Sequence, residues 1–374
     1  MPPRAAPLDI GIYVPFNLSI SRGILEGVNR FRAEHPSLRA QIDDGAEPGP
    51  HSPRACAVIV FNAGDVSAKL RPGTRVVVNL SNRLGAGPNH SVLNDDVAVG
   101  RMAADHLIDR GFPRFGFVGF QNVHLSHLRY LGFRDRIRER LGSAAPEVPE
   151  RDMADRSAVL RDLHLPCGVF TVNDQAAARV VDAALDLGLR IPEDLAVLGV
   201  DDDPLRCAMS RVELSSVRPD SLRQGYEAMA LAHRLLADRR KPPEPILRLI
   251  APLGVTTRRS TDTFAHPDPQ VVSALRIVRD RIRELRGVDD LARACGLGVR
   301  TLERLFHETL QTTPREALNR ARFDFARALL IQTRLSVSEI AHRSGYADVR
   351  TFIWQCKLRT GQTPATLRRD LVPH

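Results

Sequence analysis

Arg350 and Trp354 lie about one helical turn apart on the outward face of a predicted helix near the C-terminus. The same helix turns Phe352 and Cys356 inward, which leaves one face free for contacts. An arginine on such a face can donate hydrogen bonds to a base, and a tryptophan can pack on a thymine methyl group. This pattern is typical of a helix that reads DNA in the major groove, although a tryptophan in the domain core is the alternative for Trp354.

The elements that must position this helix come just before it. Val337, Ile340 and Ala341 have the i, i+3, i+4 spacing of one apolar helix face. Gly345 follows where a helix ends in a left-handed turn, and Asp348 is a suitable N-cap for the next helix. A helix, a sharp turn and a second helix with an exposed face predict a helix-turn-helix unit.

The same plan occurs a second time, about 50 residues upstream, as expected for an internal repeat. The matching positions are Val288, Leu291, Ala292, Gly296, Arg300, Thr301, Leu302, Phe306, Thr313 and Pro314. Chance rarely repeats inward, turn and outward roles in this way, so we interpret the two copies as a duplication. An apolar stripe between them predicts a continuous helix from about 315 to 332 that spaces the two units rigidly.

Residues 271 to 369 resemble the AraC-type transcription regulators. The resemblance rests on Ile340, Ala341, Gly345, Tyr346, Phe352, Cys356, Lys357, Gly361, Thr363, Pro364 and Arg368. Cys356 stands where the family usually has Phe, Trp354 where a basic or polar residue is common, and Gly298 where Ser commonly caps the first recognition helix.

The AraC resemblance implies two recognition helices in successive major-groove segments of double-stranded DNA. The base-facing residues that it implies are Arg300, Glu303, Arg304, Arg350, Thr351 and Trp354. Glu303 has two interpretations, because it can accept a hydrogen bond from cytosine or pair with a neighbouring arginine.

The composition of the whole chain sets limits on its class. Its 374 residues are enough for two to three domains of roughly 150 residues each. From residue 271 onward there are 19 basic and 11 acidic side chains, so almost all of the net charge of +9 lies on the predicted DNA binder. Five scattered cysteines indicate free thiols in a reducing cytosol. The N-terminus has no export signal and no run is apolar enough to span a membrane, so we expect a cytoplasmic protein.

Residues 8 to 201 alternate between apolar strands and amphipathic helices, which predicts an α/β fold with parallel sheets. Arg129 follows one strand and its loop, while Asn173 and Asp201 directly follow two others. Since ligands of such sheets bind at the carboxyl ends of the strands, these polar groups would meet in one cleft. Their donors and acceptors suit the hydroxyl groups of a sugar. The alternative is that Asn173 and Asp201 only cap the helix or turn that follows.

Several sequence segments in this region resemble the effector domain of LacI-type repressors and the periplasmic sugar-binding proteins. They are DDVAVGRMAADHLIDRG, LRYLGF, VNDQAA and IPEDLAVLGVDD, within residues 8 to 258. The resemblance implies a two-lobed, periplasmic-binding-protein-like domain in which Arg129, Asn173 and Asp201 contact a sugar. It adds Asn79 as a weaker candidate, because Asp is common there.

A longer segment is closer still to the xylose-responsive regulators, which join this sensor to an AraC-type C-terminus. It reads LSSVRPDSLRQGYEAMALAHRLL, followed by APLGVTTRRSTD. The resemblance implies a small sugar as effector, with a pentose such as xylose as the leading candidate.

Together these observations predict two domains and their connections. The predicted segments are a flexible tail (1–7), a two-lobed effector domain (8–262), a linker (263–270) and an all-α DNA-binding domain with two helix-turn-helix units (271–374). We expect a transcription activator that binds repeated operator half-sites as a homodimer, with RNA polymerase as a further partner. We expect no cofactor, no metal and no enzymatic activity.

Other functions fit the sequence less well. The three lysines lie outside any phosphate-binding loop, which argues against a nucleotide-driven enzyme. His124 and His127 have an H-x-x-H spacing in a predicted loop, but no third metal ligand accompanies them. A sugar-binding transport component would need an export signal and no basic pair of helix-turn-helix units, and the sequence shows the reverse.

Overall fold

A computed structural model gives the conformation of most of the chain. It describes residues 8–49, 51–61, 69–70, 72–83, 89–153, 160, 163–238, 244–263, 268–310, 312–360 and 362–371. The expected tail, residues 1–7, and residues 264–267 of the expected linker lie outside the described residues.

The first of two α/β lobes, lobe I, is built on a six-stranded sheet. Its elements are β1 (Leu8–Tyr13), α1 (Ser19–Glu34), β2 (Ala40–Asp43), β3 (Ala55–Val60), β4 (Val76–Asn79), β5 (His90–Asn94), α6 (Ser221–Ala237) and β11 (Leu247–Ile250). The strand order is β11-β5-β4-β3-β1-β2, and all pairs are parallel. Apolar side chains such as Ile12, Ile24 and Ile59 are fully buried between the sheet and its helices. The fold class predicted from strand and helix alternation is therefore confirmed for this lobe.

Lobe II repeats the plan with a second six-stranded sheet. Its elements are α2 (Asp96–Ile108), β6 (Phe115–Gly119), α3 (His124–Leu141), β7 (Glu150–Asp152), β8 (Cys167–Thr171), α4 (Asp174–Asp186), β9 (Leu195–Val200), α5 (Pro204–Met209), β10 (Ser215–Arg218) and β12 (Gly254–Thr256). The order is β12-β10-β9-β8-β6-β7, in which β12 alone runs antiparallel to its neighbour.

Three crossovers of the chain join the two lobes, and we call them the hinge. They lie between β5 and α2, between β10 and α6, and between β11 and β12. Backbone hydrogen bonds tie the crossovers to one another. Asp95 N donates to Ile250 O at 2.9 Å, and Leu253 N donates to Arg218 O at 2.8 Å. The crossovers therefore form one bonded unit rather than three separate strands.

The C-terminal part is entirely helical. Its helices are α7 (Pro269–Asp280), α8 (Val288–Ala294), α9 (Val299–Leu310), α10 (Pro314–Gln332), α11 (Val337–Arg343), α12 (Val349–Thr360) and α13 (Pro364–Leu371). Helices α8 and α9 form the first helix-turn-helix, and α11 and α12 form the second. Gly296 and Gly345 make the left-handed turns, with φ angles of 68° and 76°. The predicted spacer helix is confirmed as α10, which packs against both units.

Candidate functional site

The cleft between the lobes brings three of the four predicted effector residues together. Asn173 and Asp201 lie just beyond β8 and β9, and Arg129 lies in α3. Arg129 is 5% exposed, and its Nη1 donates to Val172 O beside Asn173. Its Nε donates to the carboxylate of Asp96 at 2.8 Å. The guanidinium is thus held by two partners within the protein.

A close helix crossing sets the position of Arg129. A Cβ added to Gly100 of α2 would lie 2.1 Å from the backbone oxygen of Arg129, and one added to Gly132 of α3 would lie 2.2 Å from Val97 O. No larger residue fits at either place without separating the helices. The two glycines therefore let α3 approach α2 closely enough for Arg129 to reach Asp96.

The backbone of Asp201 has an unusual conformation. Its φ angle is 109°, a region that residues other than glycine rarely adopt. Its Oδ2 accepts a hydrogen bond from Ser19 Oγ of lobe I at 3.3 Å. Loss of solvent raises the pKa of Asp201 to about 6, against the opposing effect of Arg129. A small ligand in the cleft would meet a carboxyl group whose pKa is raised to about 6.

The two asparagines are already engaged in local hydrogen bonds. Asn173 Oδ1 accepts from Ala176 N at 2.9 Å and so caps α4, which leaves its Nδ2 group for another partner. Asn79 donates to Ser81 O at 2.8 Å and accepts from Ser81 N at 3.1 Å, and it is 1% exposed. The capping interpretation therefore holds for one atom of Asn173. The contact of Asn79 with an effector stays a prediction that would require this turn to open.

The lobes are closed on each other through residues that sequence reasoning missed. Asn82 of lobe I donates to Asp96 Oδ2 at 3.0 Å, and His124 N donates to Arg83 O at 2.9 Å. Asp96, which is 2% exposed, thereby bridges Asn82 in one lobe and Arg129 in the other. The doubled aspartate at 95 and 96 was the only signal for this in the sequence. It resembles an ordinary helix start, and Asp95 does cap α2.

All of the predicted DNA-facing residues are exposed in the folded chain. They are Arg300, Glu303, Arg304, Arg350, Thr351 and Trp354. Trp354 is 58% exposed, so its interpretation as a core residue is wrong, whereas Phe352 and Cys356 are fully buried as predicted. Asp348 caps α12 by accepting from Thr351 N at 2.8 Å. Contacts of these six residues with bases stay predictions.

The structure also bears on the alternatives weighed above. Glu303 is exposed, which leaves its carboxylate open to a base. His124 and His127 begin α3, so their predicted place in a loop was wrong, and the described part of the chain contains no cluster of metal-ligating side chains. The five cysteines are free, three of them buried. None of the described helices has both the length and the apolar character to cross a bilayer.

A two-lobed α/β domain with a polar cleft, joined to paired helix-turn-helix units with exposed faces, defines a class of protein. It is a DNA-binding transcription regulator with a built-in sensor for a small molecule. From here the two-lobed domain is called the sensor, and the helical domain the DNA-binding domain.

Comparisons with known proteins agree with this class. A family model for a periplasmic binding protein-like domain matches residues 104–261, and one for a helix-turn-helix domain matches residues 291–370. The xylose operon regulatory protein of Escherichia coli K12 is 30% identical over 292 residues, which cover 75% of this chain and 74% of that protein. The Haemophilus influenzae protein of the same name is 27% identical over 288 residues, or 74% of each chain.

A solved structure matches almost the whole chain. It is that of a xylose-binding transcription activator, with a TM-score of 0.60, 25% identity and 98% coverage of both chains. The chain belongs to the family of xylose operon regulatory proteins. The resemblances found in the sequence are thereby confirmed, and a transport component without a DNA role is not favoured.

Proposed function

We propose that this protein is a transcription activator controlled by a monosaccharide, with D-xylose as the leading effector. The observation that supports the proposal is that Asp201 contacts Ser19 of the other lobe, with Arg129 beside Asn173, in the same chain as two exposed recognition helices. The names of the E. coli and H. influenzae relatives and the xylose-binding activator support the choice of sugar.

The chemistry of the cleft suits a sugar that lies between the lobes. Arg129 and the Nδ2 group of Asn173 supply donors, and the Asp201 carboxylate supplies a charged acceptor. Each can replace a water partner that a sugar hydroxyl loses on burial. Asn79 and Asn82 come from lobe I, whereas Arg129, Asn173 and Asp201 come from lobe II. A sugar that contacts residues of both lobes therefore favours closure. Only such a preference for one lobe arrangement can shift the equilibrium of the attached DNA-binding domain.

On the DNA side we propose that Arg300, Arg304 and Arg350 donate to base edges. Glu303, Thr351 and Trp354 would contribute an acceptor, a hydroxyl and an apolar surface in the same grooves. The two units of one chain would occupy neighbouring major-groove segments about one helical turn apart. We further propose that the protein is a cytoplasmic homodimer through its sensor, binds two half-sites and contacts RNA polymerase. The proposed division of the chain is 8–262 for the sensor, 263–270 for the linker and 271–374 for the DNA-binding domain.

A thermal-shift titration of the full-length protein over pentoses and hexoses tests the effector. D-xylose at 100 times its dissociation constant should stabilise the sensor by about 2.7 kcal/mol. Asp201→Ala should lose this response. Asp186→Ala, which removes an exposed carboxylate outside the cleft, should keep it. A response of Asp201→Ala equal to that of the parent protein would show that the sugar does not bind at this cleft.

A further inference from the structure

Helix α10 presents different faces to three parts of the molecule. Leu318 packs into the core of the first helix-turn-helix unit. Leu330 packs into the core of the second unit, together with Cys356 of the recognition helix α12. A third face carries Arg320 and Arg327, two helical turns apart, toward the sensor. Any displacement of that third face is therefore passed directly to both units, since packed cores shift as rigid bodies.

The two arginines hold different parts of the sensor. Arg320 pairs with Asp109, just after α2, and so attaches α10 to lobe II. Arg327 reaches the hinge instead, where its Nη2 donates to Pro252 O at 2.7 Å. Pro252 lies in the crossover between β11 and β12. One end of this contact face is thus anchored on a lobe, and the other is bonded to backbone that must bend when the lobes move.

Charged groups of a second crossover act on Arg327 at this junction. Burial lowers the pKa of Arg327, and its guanidinium is also influenced by the charge of Asp324 on the same helix and by those of Arg218 and Asp220, at the crossover between β10 and α6. Within the described residues, Arg327 Nε, Arg218 Nε and Asp220 Oδ2 are buried without a hydrogen-bond partner. Buried polar atoms left in this way favour an exchange of partners when the backbone around them shifts.

We propose that Arg327 is the positioning residue that couples closure of the sensor to the second recognition helix. The passage of the lobes between an open arrangement and the closed one seen here bends the hinge and moves Pro252 O. Arg327 then follows that oxygen or turns to the Asp220 carboxylate, and α10 carries the displacement to α12 through their shared core. The hinge is a two-position element that both the effector and the DNA can bias. This inference rests on the proposed function, because it requires an effector that closes the sensor.

The single tryptophan of the chain provides a direct readout, since Trp354 lies on α12. We would titrate D-xylose into the full-length protein, follow Trp354 emission, and measure sugar binding separately by calorimetry. The parent protein should show a saturable change in emission. Arg327→Met removes the donor and the charge but keeps the apolar stem, and it should bind the sugar while losing that change. Arg315→Met, an exposed arginine on the same helix, is the matched control and should behave like the parent.

An Arg327→Met variant that binds D-xylose and gives the parental emission change would overturn the coupling role. A merely structural role would lower the melting temperature of Arg327→Met without separating sugar binding from the Trp354 response. Should Arg327→Met fail to fold, Arg327→Lys replaces it. A lysine keeps the charge but loses the planar set of donors, so the emission change should shrink.

A second experiment tests the same coupling through DNA binding and needs no sugar. Reciprocity requires DNA binding to alter the hinge if the hinge alters DNA binding. We would measure hydrogen exchange at the Leu253 amide, which donates to Arg218 O across the crossovers, with and without a DNA fragment selected from a random pool. The parent should show a DNA-dependent change that Arg327→Met lacks, and an equal change in both proteins would refute the inference. If the parent protein binds no D-xylose but still shows the DNA-dependent change that Arg327→Met lacks, the proposed effector is refuted and the coupling through Arg327 is not.

Discussion

Replacement of Asp96 by alanine should strongly destabilise the sensor. Asp96 accepts from Arg129 Nε at 2.8 Å and from Asn82 Nδ2 at 3.0 Å, and the Asp96 and Arg129 side chains are only 1% and 6% exposed. The Asp96→Ala variant leaves the buried guanidinium without the carboxylate to which it is hydrogen-bonded. An uncompensated buried charge of this kind costs about 3 to 5 kcal/mol.

The contribution of each Asp96 contact can be separated. Asn82→Ala removes only the hydrogen bond from Asn82 to Asp96, which is one of the bonds between the lobes, and should cost about 1 kcal/mol. The double variant Asp96→Ala/Arg129→Met removes the stranded charge as well as its partner. It should therefore be more stable than Asp96→Ala alone, and the double-mutant cycle should give an interaction energy above about 1 kcal/mol.

Urea denaturation followed by far-ultraviolet circular dichroism measures these differences on the sensor transition of the full-length protein. The midpoint for Asp96→Ala should fall well below that for Asn82→Ala. A loss below about 1 kcal/mol for Asp96→Ala would refute the reasoning, because it would mean that the pair is not desolvated. Strictly additive effects in the double variant would refute it as well.

Three further outcomes are expected for the cleft and the DNA interface. Gly100→Ala places a Cβ 2.1 Å from Arg129 O. It should lower the free energy of unfolding, measured by thermal denaturation, by about 1 to 3 kcal/mol and should weaken D-xylose binding. Unchanged stability and affinity would mean that the helix crossing does not position Arg129. Because the raised pKa of Asp201 is about 6, its charged form takes over as the pH rises through that value, so calorimetric D-xylose affinity should increase and then level off. Asp201→Asn should remove that dependence, and an unchanged profile would assign it to another group. Arg304→Ala should lose about 1 to 3 kcal/mol at one base pair of a selected site in a competition gel shift, whereas equal weakening on random DNA would indicate a phosphate contact.

The sequence predicted those features whose signal is local. The helix α10, the Asp348 cap of α12 and the inward positions Phe352 and Cys356 each follow from spacing within one or two helical turns. The polar residues at the ends of β8 and β9 could be placed in one cleft because parallel strands share an edge. The long buried strands were readable because they are almost continuously apolar.

The remaining features depend on contacts between distant segments. Strands β2, β5, β7, β10, β11 and β12 were not predicted, since they are short and lack an apolar run that differs from a loop. The hydrogen bond from Asn82 to Asp96 exists only when the two lobes meet, and neither residue type predicts it. The need for glycine at position 100 likewise arises from the backbone of another helix. Sequence spacing carries no information on such approaches.

A sugar bound in the sensor should change the affinity of the DNA-binding domain for its site. The direct measurement is a fluorescence-anisotropy titration of the full-length protein on a selected DNA fragment, without and with saturating D-xylose. We expect a change in affinity of about 5- to 150-fold, the usual range for coupled sites, and its loss in Asp201→Ala. Equal DNA affinity in both conditions, with calorimetry showing the sugar bound, would contradict the claim.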